Sequence, residues 1–446
     1  SHLFSPPKLL AYWLFSTKSK SLLGNILDDT DPKFAKWAIG ASVAWTSLLL
    51  GLTWLLGERL LPLLGPGKGI IAVVVVVGGL VFLVGRQARR WAEASARSNP
   101  DRTRSSFEFW PPFLFYIPVA LKILTLGLRY RSLTVATAAN PSIHAGGLIN
   151  ESKSAVLDLI PEDLAEWLPT HVTATGGESR EQVLDRVEAA GLHYPLVAKP
   201  DLGQRGAGVR RVEHPSELAS YLESFPAGAR FMVQALVDHP HEAGIFYYRR
   251  PDRERGEILS VTLKEFPFVE GDGRSTLKAL IHAHPRARHA AAIYERRHQE
   301  HLLEILPEGR RFSLVFAGNH SQGAVFRNGQ HILTPALVQR IDEIAHRIPG
   351  FYFGRFDLRF STLEAFQRGE GFRIIELNGV GAEATHIWDP NAKLLDAYRD
   401  LFRQFELAYA IGAANRARGV QPRRFLDLVK DAVAYFRLAR AYPPAT

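Results

Sequence analysis

"VAKPDLGQRGAGVRRV" occupies Val197 to Val212. An apolar run ends in Lys199, and Gly203, Gly206 and Gly208 follow it. Glycines at such spacing let backbone N–H groups approach an anion, while the lysine adds a point charge. A plain turn between two strands accounts for the same residues equally well. Neither the Walker A nor the Rossmann pattern fits, because GK[ST] is missing and no helix opens directly after the glycines. Two later stretches discriminate. "GRFDLRF" sets Arg355 and Asp357 on one face of a strand, and "FRIIELNG" does the same for Glu376 and Asn378, since alternate strand residues share a face. Carboxylate and amide oxygens converging from two strands make a hard site suited to Mg²⁺ carrying phosphates. Taken singly these pairs are ordinary surface charges. Their combination with the glycine loop is specific.

The surrounding pattern is that of an α+β or α/β enzyme. "LTVATAANP" is expected as a strand ending in a loop, "ESKSAVLDLIPEDLAEWLP" as a helical region, and "REQVLDRVEAAGLHYPLVAKP" as a helix leading into a strand. Further strands are expected at "RFMVQALV", "GIFYYRR", "EILSVTLKEF", "RFSLVFAG", "FGRFDLRF" and "GFRIIELN".

From Ser152 to Pro390 the chain resembles the ATP-grasp superfamily, and within it the carboxylate-amine ligases related to D-alanine-D-alanine ligase. The resemblance is carried by "SKSAVLDLIPEDLAEWLPTHV", "YPLVAKPDLGQRGAGV", "FMVQALVDHPHEAGIFYY" and the R-x-D and E-x-N pairs; "GDGRSTLKALI" is similar to a stretch of cyanophycin synthetase-type members. It implies an ATP-grasp fold, two α+β subdomains sandwiching ATP. It further implies that Lys153 and Lys199 hold the α- and β-phosphates and that Gly206, Ala207, Gly208 and Val209 cover the β/γ end. Gln234, Ala235 and Leu236 would border adenine, Glu242 would bind the ribose, and Lys264 would reach the triphosphate. Asp357, Glu376 and Asn378 would hold one or two Mg²⁺, with Mn²⁺ as the alternative, and Arg355 would stabilise the phosphoryl group in transfer. The implied substrates are a carboxylate and an amine. His144, Asn140, Glu383, Thr385, His386 and Trp388 fall near the expected acceptor end, with Glu383 as a substrate-ammonium contact or, alternatively, a third metal ligand. A phosphotransferase acting on a hydroxyl, and a non-catalytic nucleotide sensor, are the alternatives.

Ahead of this region the composition changes. Net charge is +9, and residues 1–131 hold sixteen Lys/Arg against seven Asp/Glu, so the excess lies outside the catalytic stretch. That argues for an anionic membrane surface rather than nucleic acid. "WAIGASVAWTSLLLGLTWLLG" (37–57) carries no charge and as a helix spans about 31 Å, which matches a bilayer core. "GIIAVVVVVGGLVFLVG" (69–85) is expected as a second span, with a buried strand pair as the alternative. Lys8, Lys18, Lys20, Lys33 and Lys36 precede the first run and Arg86, Arg89, Arg90, Arg97, Arg102 and Arg104 follow the second. Both ends are therefore expected on the cytoplasmic face of a bacterial inner membrane. One substrate is expected to be amphiphilic or lipid-like, and an oligomer is left open. There is no cysteine, which excludes disulfides, thiolate metal sites and a cysteine nucleophile.

The resulting division is a membrane region (1–104), an aromatic interfacial segment with a reduced element ahead of the catalytic domain (105–150), the catalytic domain (151–390) and C-terminal helices (391–446). "FEFWPPFLFYIPVALKILTLGLRYRSL" is interrupted by prolines and by Lys122, which suits an interfacial element, a re-entrant loop or a core helix. "RRFLDLVKDAVAYFRLARAY" has apolar residues at helical spacing and is expected either on a membrane or packed on the domain.

Overall fold

The computed structural model describes residues 105–443, apart from 106, 109, 111, 204–205 and 316–323. The apolar runs 37–57 and 69–85 and the basic residues expected to flank them lie outside the described residues. The described residues belong to one compact unit, Ser95–Thr446. Among the described residues no helix is long and apolar enough to cross a membrane.

The unit opens with α1 (Pro112–Phe115) and α2 (Ile117–Arg129), followed by α3 (Lys153–Leu157), β1 (His171–Thr175), α4 (Arg180–Ala189), β2 (Leu196–Pro200), β3 (Arg210–Val212), α5 (Pro215–Ser224) and β4 (Arg230–Ala235). Next come β5 (His241–Tyr248), β6 (Glu257–Glu265), β7 (Phe268–Glu270), α6 (Leu277–Ala283), α7 (Ala291–Arg297), β8 (Arg311–Ser313) and β9 (Val325–Asn328). The remainder is α8 (Pro335–Arg347), β10 (Phe353–Phe360), α9 (Leu363–Gln367), β11 (Phe372–Asn378), α10 (Leu394–Ala417) and α11 (Phe425–Ala439). Strands gather into a four-stranded sheet β1-β4-β2-β3, a five-stranded antiparallel sheet β11-β10-β5-β6-β9 and the ribbon β7-β8. The fold is α+β.

The larger sheet is two-faced because its sequence alternates. In β10, Phe356, Leu358 and Phe360 enter a core shared with Leu337, Ile341, Ile344 and Ala345 of α8, whose spacing lines one side of a helix. Thr334 caps that helix by accepting the Leu337 N–H, and Pro335 sits in its first turn. Arg355, Asp357 and Arg359 are left for the opposite face. The smaller sheet buries Leu196, Ala198, Phe231 and Val233 against Val183 and Val187 of α4 and Leu218, Tyr221 and Leu222 of α5.

Two expectations need correction. "LTVATAANP" is not a strand: Val135–Ala138 forms a buried 3₁₀ turn. Its small residues let α10 approach so closely that a Cβ on Gly412 would lie 2.1 Å from the Val135 carbonyl oxygen. The region 151–169 is not one helix, since α3 stops at Leu157 and Pro161 precedes a 3₁₀ turn at Glu162–Trp167. In the stretch from Phe107 the core-helix alternative describes one face. Phe107, Phe115 and Val119 are buried against Ile387, Ala397 and Leu401, while Ile117, Leu121, Leu124 and Leu128 form an exposed stripe on α2, Leu128 being 80% exposed. The C-terminal helix α11 also divides its faces. Leu438 packs on the smaller sheet's core, together with Tyr442 just beyond the helix. Phe425, Leu426, Val429, Val433 and Phe436 are exposed.

Candidate active site

Asp201 organises the first part of the site. Two residues after Lys199, it accepts from the Ser154 N–H (2.9 Å), the Ser154 hydroxyl (2.8 Å) and the Ser152 hydroxyl (2.7 Å). Its backbone carbonyl accepts the Lys153 N–H. Ser152 is also the N-cap of α3. The consequence is that Lys153, from a helix, and Lys199, from strand β2, come to the same place. Lys153 Nζ lies 2.7 Å from Glu376 Oε1 and donates to the Gly203 carbonyl (2.6 Å). Lys199 Nζ donates to Gln234 Oε1 (2.8 Å) and to the Ile375 carbonyl (3.0 Å). Both lysines thus reach from the smaller sheet's side to β11 of the larger sheet.

Register explains the second part. Asp357 pairs with Glu376 and Arg355 with Asn378 across β10 and β11. Beyond Asp357 the register shifts so that Leu358 faces Ile374, leaving Ile375 as the extra bulge residue whose carbonyl meets Lys199. On the other side, Glu242 of β5 stands between Lys264 of β6 and Arg359 of β10, its register partners. Lys264 Nζ bridges Glu242 (2.8 Å) and Asp357 (3.0 Å). Arg355 holds Asp357 through Nε (3.0 Å) and Nη2 (2.8 Å), a two-pronged charge-assisted contact, and spends Nη1 on the Glu383 carbonyl (2.8 Å). Gly244 opposite Asp357 makes this possible: a Cβ there would stand 3.1 Å from Arg355 Cδ and 3.2 Å from Asp357 Oδ1.

Burial and pairing set the protonation states. Burial favours a neutral Asp357, yet Arg355 and Lys264 hold its carboxyl well below the usual carboxylate range. Glu376 is likewise pushed up by burial and brought below its ordinary value by Lys153 and Lys199. Burial pulls Lys153 down, but Glu376 outweighs it and the net shift is upward. Lys199 is different, since burial wins and takes it down to about 8, with Glu376 opposing. Glu151, whose carboxylate accepts the Gly379 N–H (3.0 Å), is pushed by burial up to about 7 against that hydrogen bond and Lys153.

These groups line one cavity of about 630 Å³. Lys153, Lys199, Gly206, Ala207, Val209, Gln234, Ala235, Leu236, Glu242, Lys264, Arg355, Asp357, Glu376 and Asn378 all border it. Gly208 does not. It adopts φ +69°, a Cβ there would lie 2.7 Å from Pro200 Cγ, and its carbonyl accepts the Tyr221 hydroxyl, so its backbone serves the hairpin's packing. Lys264 is buried between the carboxylates of Glu242 and Asp357. Of the acceptor-end residues, Glu383, Thr385 and Trp388 line the cavity. Asn140 instead spends its amide on Gly146, Tyr352 and Phe353 backbone groups, and His144 pairs with Asp431 beside a separate small cavity. His386 Nε2 meets Asp400 at 2.9 Å.

The sequence reading missed Glu151, Gly244, Arg359 and Tyr116. Arg359 shares the period-two face of Arg355 and Asp357, a signal that was present. The others depend on tertiary proximity.

The donor set fits a nucleotide carrying a divalent cation. Gln234 Nε2 is a buried amide donor without a partner, on a side chain only 3% exposed at the cavity wall. Such an orphan calls for an acceptor from a ligand. Asp357 and Glu376 bring carboxylate oxygens and Asn378 an amide oxygen, the ligand atoms a hard dication requires, while the Asn378 Nδ2 donates to Asp357 Oδ2 (3.1 Å). Among the described residues no group of three or more His, Cys, Asp or Glu is poised on a metal.

No family model matches the chain. It is 27% identical over 179 residues to the formate-dependent phosphoribosylglycinamide formyltransferase of Mycolicibacterium vanbaalenii, covering 39% of this chain and 43% of that protein. The chain therefore spans less than half the length of that relative. Among solved structures it is similar to a D-alanine–D-alanine ligase from Bacillus anthracis (14% identity, TM-score 0.35, 60% of this chain and 68% of that one). It is similar also to the VanG D-Ala:D-Ser ligase from Enterococcus faecalis (15%, 0.34, 61% and 62%). A third is a bifunctional glutathione synthetase from Pasteurella multocida (19%, 0.31, 56% and 36%).

Proposed function

We propose that the chain is a membrane-anchored ATP-grasp enzyme that joins a carboxylate to an amine through an acylphosphate. The observation that carries this reading is the single cavity where Lys153, Lys199, Lys264 and Arg355 face Asp357, Glu376 and Asn378 beside the unpartnered Gln234 amide. The quoted motifs, in the order of the ATP-grasp ligases, support it further.

In this reading Lys153 and Lys199 neutralise phosphate charge, Gln234 to Leu236 border the base, and Glu242 serves the ribose once it exchanges Lys264 for a hydroxyl. Bound Mg²⁺, or Mn²⁺, on Asp357, Glu376 and Asn378 would supply charge neutralisation at the phosphates. A substrate carboxylate oxygen attacks the γ-phosphorus as the bond to ADP breaks. The neutral amine nitrogen then attacks the acyl carbon, the C–N bond forms, the C–O bond breaks, and phosphate leaves carrying one carboxylate oxygen while the proton shed by nitrogen passes to solvent. No side-chain nucleophile is needed, so the protein's work is positioning and electrostatics. Arg355, wedged between Asp357 and the Glu383 carbonyl, keeps positive charge at the point where phosphoryl charge would develop.

Membrane attachment belongs to the same proposal. Its supports are the uncharged runs 37–57 and 69–85, their basic flanks, and the exposed apolar stripes of α2 and α11. Catalysis would then lie on the cytoplasmic side, with one substrate amphiphilic. Digestion of the catalytic unit by protease added to inside-out vesicles is expected; its protection there would overturn the topology.

The chemical test is isotopic. ¹⁸O in the acceptor carboxylate is expected in released phosphate. A stable phosphorylated product with no label transfer would establish the phosphotransferase instead, and binding of ATP without turnover would leave a sensor.

A further inference from the structure

Glu383 occupies a corner of the cavity unlike the rest. Its Oε1 accepts the Tyr116 hydroxyl and its Oε2 accepts the Trp388 indole N–H at 2.7 Å. Both donors are neutral. Among the ion pairs of the described residues none takes the Glu383 carboxylate, and the nearby Arg355 is bonded to the backbone carbonyl of Glu383 and to Asp357. Every other carboxylate drawn into the proposed nucleotide machinery has a cationic partner: Glu242 and Asp357 have Lys264, and Glu376 has Lys153. The two neutral donors fix the orientation of Glu383 without cancelling its charge. A carboxylate offers about four lone-pair directions, so acceptor capacity remains.

The walls are aromatic. Phe115 lies 4.8 Å from Trp388 between ring centroids, and Tyr116 meets Phe115 edge-on at 5.1 Å. Trp388, Tyr116 and Phe115 all border the cavity, as do the apolar Leu401 and Phe405. Electron-rich ring faces beside a fixed carboxylate form a surround that attracts an organic cation and repels an anion. A small inorganic cation would gain nothing from the apolar neighbours. The element that supplies Phe115 and Tyr116 precedes the two sheets, and Tyr398 anchors it by donating to the Phe115 carbonyl.

We propose that Glu383, Tyr116 and Trp388 form a seat for the ammonium group of an organic amine with an apolar stem. This rests on the ligase reading for its biological meaning, where the seat would receive the ammonium end of a substrate. The binding chemistry stands separately. The ammonium donates to the carboxylate while its alkyl carbons lie on the rings, toward Leu401 and Phe405. The link from Glu383 through its carbonyl to Arg355 puts this seat next to the proposed reaction centre.

The probe is n-hexylammonium, titrated calorimetrically into the full-length chain in detergent, with Mg·ATP titrated in parallel. Wild type is expected to bind the amine, hexan-1-ol is expected not to displace it, and Glu383→Gln should weaken amine binding at least tenfold while leaving Mg·ATP affinity unchanged. Trp388→Phe should diminish the amine-dependent change in tryptophan fluorescence, to which Trp110 on the same cavity also contributes, and this is a second reading on a variant that keeps the carboxylate. Equal amine affinity in Glu383→Gln, displacement by the alcohol, or a fluorescence change undiminished in Trp388→Phe would each overturn the seat. Glu383-dependent amine binding without any ATP-driven amide formation would keep the seat and discard the ligase. Amide formation whose amine KM is unaffected by Glu383→Gln would do the reverse.

Discussion

Asp357 and Glu376 stand directly opposite one another on neighbouring antiparallel strands. Like charges in that position destabilise a sheet, and here the repulsion is offset by Arg355 and Lys264 on one carboxylate and Lys153 on the other.

Glu376→Gln removes one negative charge from this pair and keeps its shape. Transfer should fall by roughly a thousandfold, the scale of losing a preorganised charge contact. Nucleotide is still expected to bind, because Lys153 and Lys199, proposed to neutralise the phosphates, both remain. Phosphate release and equilibrium binding measured together check this; unchanged turnover would remove Glu376 from the proposed metal set.

Lys199 yields a pH dependence. With its pKa at about 8, the lysine is mainly protonated at neutral pH and loses its charge as pH rises through that value. Mg·ATP affinity should be level below pH 7 and fall above pH 8. Nucleotide binding near pH 8 should also take up protons, because phosphate favours the charged amine. Lys199→Ala should bind more weakly and show neither effect. Calorimetry in buffers of different ionisation enthalpy reads both.

Glu151 affects stability instead. Its folded pKa of about 7 exceeds the ordinary 4.5, so the folded state binds the extra proton. The stabilisation that proton brings is complete below pH 4.5 and disappears as pH rises through 7. Glu151→Gln should therefore raise stability at pH 8 relative to pH 5, by an amount on the order of 2 kcal/mol. Denaturant unfolding at the two pH values is the measurement, and parallel curves for variant and wild type would contradict it.

Gly244→Ala tests the packing beneath Arg355. The new methyl would crowd Arg355 Cδ and Asp357 Oδ1 at 3.1 and 3.2 Å, displacing the pair by a few tenths of an ångström. Turnover is expected to drop about tenfold, since small misplacements of positioned groups are costly. The melting temperature should move little. A normal rate would show that Arg355 placement is not critical.

Much of the site was legible in the residues alone because strand periodicity is short-range. In "FGRFDLRF" the alternation of aromatic or aliphatic residues with Arg355, Asp357 and Arg359 says which face is wet, whatever the rest of the chain does. "FRIIELN" behaves the same way at Glu376 and Asn378. The hairpin around Gly206 and Gly208 was legible for a similar reason, positive φ being a local demand. Other features had no local signal. The small-residue run Val135–Ala138 has the apolarity of a strand and became a 3₁₀ turn because α10 packs against it at Gly412. The Asp201 contacts that bring Lys153 beside Lys199 join residues about fifty positions apart.

Sequence by itself determined which residues carry charge onto the faces of β10 and β11, because side-chain direction along a strand follows from backbone geometry. Tertiary structure alone decided which charges meet: that Lys264 lies between Glu242 and Asp357, that Gly208 turns away from the cavity, and that Tyr116 and Trp388 grip Glu383. Those outcomes depend on strand register, a one-residue bulge and the docking of α1 beside α10. Each is settled by packing summed over many distant residues, and none is encoded within any single stretch.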